Sequence, residues 1–107
     1  MSTTNKGQAQ AVATTSPVAI FTPLFENVVK SITICNTSTS IVKLSLYRTI
    51  GTTTYDKTTA LKYQVDVPAR STEQWEVYYG MNLGDNFAIE AGASDSITVT
   101  LDGMEWT

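Results

Sequence analysis

The feature that most constrains this chain is an alternation of apolar and polar side chains that recurs from Val28 to Leu101, interrupted by short clusters of turn residues. Successive side chains of a β-strand point to opposite faces, so a period of two implies strands that each bury one face. Val18 and Ile20 open a first strand that Pro23 ends. Val28, Ile32 and Ile34 alternate about Lys30, with Val29, Ser31, Thr33 and Cys35 on the opposite face. After the polar turn at 36–40, Val42, Leu44 and Leu46 alternate with Lys43, Ser45 and Tyr47, so the two runs read as an antiparallel hairpin. Further on, Leu61, Tyr63, Val65 and Val67 form one set, then Trp75, Val77 and Tyr79, then Phe87, Ile89 and Ala91, and finally Ile97, Val99 and Leu101. Gly84 and Gly92 fall in turns between them, and Gly103 marks a bulge before Met104 and Trp106.

Seven or eight strands at this spacing, with no convincing helical period, specify an all-β chain. A lone sheet would leave its apolar face uncovered, whereas two sheets cover each other. The expected architecture is a two-sheet antiparallel β-sandwich over residues 17–107, of jelly-roll or immunoglobulin-like type. Residues 1–16, small and polar with Val12 the one large aliphatic, read as a flexible arm. A chain of 107 residues leaves room for this one domain.

Charged residues make up only 16% of the chain and Ser and Thr about a quarter, so the surface is made polar by hydroxyls more than by charge. The formal charge of -3 lacks the basic stripe that would displace counterions from phosphates, which argues against nucleic acid. With no His and a single Cys, the chain has no Ser-His or Cys-His nucleophile pair, no Cys/His zinc site and no internal disulfide. No apolar run approaches the roughly 20 residues of a membrane-spanning helix, so no membrane partner is expected. The opening lacks the apolar core of a signal peptide, and synthesis in the cytosol is expected.

Asp85, Glu90, Asp95 and Asp102 lie near turns, where a carboxylate is ordinarily solvated and not half of a catalytic pair. They lack the spacing of a calcium loop, and Cys35 reads as a structural thiol at a strand end. No catalytic residue, metal site or cofactor is expected. The aromatics carry two readings. Tyr55 and Tyr78 could form a platform for stacking a sugar ring, or Trp75 and Tyr79 fill the core while Tyr47 and Tyr78 line a protein interface. The interface reading gives Val12, Tyr47, Tyr55, Tyr78, Met104 and Trp106 as candidate contact residues.

The run VVKSITICNTSTSIVKLSLYR resembles the opening hairpin of small structural proteins of tailed bacteriophages. VDVPARSTEQWE is similar to that group's Pro-Ala-x-x-Thr turn, here Pro68, Ala69 and Thr72, and MNLGDNFAIEAGASDSITVTLDGMEW to its closing segment. The chain departs from the pattern in its contiguous Leu83-Gly84-Asp85 and in Arg70, where Gly is frequent. The resemblance spans residues 17–106. It implies a non-enzymatic virion protein, a capsid decoration or cement protein on the outer shell that bridges major capsid protein subunits, with a homotrimer the expected self-assembly. A carbohydrate-binding module for host adsorption, or a tail or head-tail adaptor component, is the alternative.

Overall fold

A computed structural model describes residues 3–50 and 54–106, without the side chains of residues 3–6 and 106. Among these residues there is no helix, and eight strands run in chain order: β1 (Thr3–Val12), β2 (Val18–Phe21), β3 (Asn27–Asn36), β4 (Val42–Thr49), β5 (Ala60–Val67), β6 (Ser71–Met81), β7 (Asn86–Ala91) and β8 (Ile97–Trp106). They form two four-stranded antiparallel sheets, β1-β8-β3-β6 and β2-β7-β4-β5. That order is jelly-roll threading, in which chain neighbours such as β1 and β2 or β3 and β4 lie in opposite sheets. The hairpin expected of β3 and β4 is therefore corrected: the turn between them carries the chain from one sheet to the other.

The inner faces meet in a core built from Val29, Ile32 and Ile34 on β3, Leu44 and Leu46 on β4, Phe87 and Ile89 on β7, and Ile97, Val99 and Leu101 on β8. Bulges adjust which residues point inward. The register of β3 shifts between Val29 and Ser31, so Lys30 is passed over and Val29, not Val28, joins Ile32 and Ile34 in the core cluster. On β5 the register shifts on both sides of Leu46, and Gln64 adopts a left-handed φ of 51°. Tyr63 is consequently turned to solvent, while Lys62 lies with its ammonium 5.1 Å from the centre of the Trp75 ring on β6.

Residues 3–12 correct a second expectation. This stretch is an edge strand that pairs with β8 from Thr3 opposite Trp106 to Val12 opposite Thr98, with a bulge at Gln8. Gln8 explains how a polar sequence is held there. Its side-chain amide crosses β8 at Gly103 and donates to Val28 O at 3.0 Å and Asn27 Oδ1 at 3.2 Å on β3. The crossing needs Gly103, because a β-carbon there would sit 2.9 Å from both amide atoms of Gln8.

The two ends of the sandwich differ. At one end the turns are laced together by backbone hydrogen bonds, Thr37 to Ser96, Arg70 to Ser38, and Asp95 to Ala13. Buried Asn36 completes it, donating to Ser40 O and Val67 O and accepting from the Ser38 N–H and hydroxyl. At the other end lie the β2–β3, β4–β5 and β6–β7 loops.

Candidate functional site

Jelly-roll threading gathers residues 22–26, 50, 54–59 and 82–85 at one end, although they are far apart in the sequence. Pairing of Asn27 with Met81 and Glu105, and of Thr49 with Asn86, brings the loop bases together. Asp85 shapes the β6–β7 turn from a buried position: its carboxylate accepts the Asn82 N–H at 2.9 Å, and Gly84 supplies a φ of 89°. Large apolar side chains stand out from these loops: Leu24 is 76% exposed, Phe25 51%, Ile50 74% and Leu83 71%. Beside them a groove of about 370 Å³ runs between Glu26, Val28, Arg48, Tyr78 and Met81.

A second constellation occupies the outer face of the β2-β7-β4-β5 sheet. The Tyr47 hydroxyl donates to Glu90 Oε1 at 2.6 Å, and Tyr55, in the β4–β5 loop, sets its ring 6.2 Å from that of Tyr47. Burial first, and then the hydrogen bond to Glu90, push the Tyr47 hydroxyl up to about 12, with a hydrogen bond from Ser45 acting against them. The Asp56 carboxyl nearby in the loop is held below the usual carboxylate range by hydrogen bonds from Thr58. Next to Glu90 is a cavity of about 210 Å³ lined by Lys43, Ser45, Gln64, Glu90 and Gly92.

The residues singled out from the sequence are scattered by this fold. Tyr78 is 72% exposed and borders the groove at the apolar end. Tyr47 is corrected: it is on an outward-facing position but only 1% exposed, because Tyr55 and its loop cover it. Tyr55 is half-buried against Tyr47 and so supports the fold of the loop instead of forming an open platform. Val12 is exposed on β1 at the far end from the apolar loops, and Met104 is half-buried where β8 pairs with β3. The backbone of Trp106 pairs with Thr3, and its side chain lies outside the described residues.

Leu24, Phe25, Ile50 and Leu83 did not stand out in the sequence, since each is a single apolar residue in a different loop. Cys35 is half-buried between Thr98 and Thr72 on the outer face of the other sheet. Among the described residues no group of three or more His, Cys, Asp or Glu is placed to hold a metal ion. No protein-family model, curated protein or solved structure matches the chain.

Proposed function

We propose that this chain is a non-enzymatic structural protein of a bacteriophage virion, a decoration protein that docks on the outside of the capsid and bridges major capsid protein subunits. The observation that carries the reading is the set of large apolar side chains exposed on three loops at one end, Leu24, Phe25, Ile50 and Leu83, with Val12, Val18 and Ile41 exposed at the other. The likeness of residues 17–106 to small phage structural proteins supplies the kind of partner, and the charge of -3 suits an exterior position away from packaged DNA.

The mechanism is mechanical. Each large side chain withdrawn from water contributes about 1.5–3 kcal/mol, but association forfeits several kcal/mol of translational and rotational freedom. One copy on its own therefore holds weakly. A homotrimer seated across a junction of capsid subunits engages several such ends at once, and the linked contacts multiply. Internal pressure must then break all of them to part the shell.

Two measurements test this. Purified virions are expected to carry the protein in numbers that scale with capsid subunits, and particles lacking it to release DNA at a lower temperature. The folded Leu24→Ser/Leu83→Ser variant is expected not to bind emptied shells. A few copies per particle would indicate a tail or head-tail adaptor component instead, and unchanged shell stability would remove the cementing role.

A further inference from the structure

The β1-β8-β3-β6 sheet ends on both flanks in a long strand that pairs on one side only. β6 has 11 residues and β1 has 10, and every second residue of such an edge turns its N–H and C=O away from the sheet. Among the described residues no other backbone group takes them up. The second sheet blunts its edges, since β2 has four residues and β5 is broken by register shifts and by the left-handed Gln64. On β6 the side chains of Trp75, Val77 and Tyr79 stay half-buried, with no further strand beside them in the sheet. A row of unpaired backbone donors and acceptors is matched by one kind of partner, another extended strand.

Charge and direction select which strand. β6 carries Glu73 and Glu76 and no cation, whereas β1 carries Lys6 and no carboxylate. Two copies of β6 laid together would crowd four carboxylates on one seam, while β6 against β1 of another copy opposes unlike charges. Each neighbouring pair in the sheet is antiparallel, so β1 and β6 run in opposite directions. A second copy in the same orientation therefore offers its β1 antiparallel to β6. Followed across the sheet, Gln74 is level with Thr33, Thr100 and Gln10, and Thr72 with Cys35, Thr98 and Val12. Rotation about an axis along the strands keeps these levels. It sets Gln74 beside Gln10 of the next copy, and Thr72 beside the exposed Val12 of that copy.

We propose that copies of this chain associate head to tail, β6 of one pairing with β1 of the next, in a closed ring of three. A heterologous contact of this kind repeats until the ring closes. All copies share one orientation along the axis, so Leu24, Phe25, Ile50 and Leu83 of every copy come to the same face of the ring. A β6-to-β6 dimer would point them in opposite directions. The pairing stands on the flanks of the sheet, and only the number three rests on the capsid reading.

The test combines light scattering after gel filtration with disulfide trapping of the full chain in a Cys35→Ser background. The parent is expected at three times the 11.6 kDa of one chain. With Gln10→Cys and Gln74→Cys in the same chain, oxidation is expected to link most of the protein into covalent dimers and trimers. Within one copy those positions stand three strand spacings, about 14 Å, apart, beyond the roughly 7 Å limit of a disulfide. Either cysteine alone is expected to leave monomers on a denaturing gel, and a mixture of the two single variants to give covalent dimers. A monomeric parent, an open polymer, or cross-linking by Gln74→Cys alone would overturn the assignment. Leu24→Ser/Leu83→Ser is expected to form the same ring, so failure of the ring and failure of shell binding are read separately.

Discussion

Replacing Gly103 by Ala tests the account of how β1 is held. An added β-carbon would lie 1.9 Å from the Val28 carbonyl oxygen, where ordinary contact begins at 3.4 Å, so the two must part by at least 3.4 - 1.9 = 1.5 Å. The obstacle is backbone in a β-ladder and cannot rotate aside; β8 must move away from β3. Overpacking of this kind costs about 1–3 kcal/mol, and the two Gln8 hydrogen bonds lost with it add about 1 kcal/mol each. The sum, roughly 3–5 kcal/mol, corresponds to a melting temperature lower by about 12–20 °C for a domain of this size. Urea denaturation followed by tryptophan fluorescence measures it, with Gly80→Ala as control. Gly80 lies on the edge strand β6, across β3 from β8, with nothing within 4 Å of its added β-carbon, so that change is expected to stay within about 0.5 kcal/mol of the parent. If Gly103→Ala matched the control with unchanged m-value, the described crossing of Gln8 over β8 would be wrong.

Three further outcomes are expected. Deleting residues 1–11 should lower the melting temperature by about 8 °C or more, since it strips β8 of one partner, whereas loss of a free arm would leave it unchanged. Between pH 10 and 12 the folded protein holds the Tyr47 proton that the unfolded chain releases, so Tyr47 contributes stability that is complete below pH 10 and lost as pH rises through about 12. The shift of two units sets an upper limit of about 2.7 kcal/mol, and alkaline denaturation of Tyr47→Phe should lack that part of the decline. Arg70 carries a φ of 50°, so Arg70→Gly should raise the urea midpoint by the equivalent of about 0.5–1 kcal/mol while Arg70→Val lowers it.

The sandwich was legible because β-branched and aromatic residues alternate plainly in β3 to β8. β1 was not, since its inward residues are Ala9 and Ala11, whose small side chains give almost no periodic contrast. Bulges hid the rest. An unbroken period of two puts Val28 and Tyr63 inward, but the shift past Lys30 brings Val29 into the core cluster and the irregular β4–β5 pairing turns Tyr63 to solvent. The hairpin reading of β3 and β4 failed because alternation states which face is buried and not which strand lies alongside. For the same reason the apolar end was invisible, being a product of how the chain is threaded. Arg70 likewise gave no sign in its own sequence of the left-handed backbone it adopts.

The pairing of Thr3 with Trp106 has a practical consequence. Thr3 and Trp106 lie at the same end of the sandwich as the loops that carry Leu24 and Leu83, so an affinity tag or fluorescent cargo joined beyond either strand would sit near the surface proposed to meet the shell. Labelling without that shadow calls for a circular permutant, with the old extremities tied by a short linker and new ones opened in the 92–96 turn at the laced end.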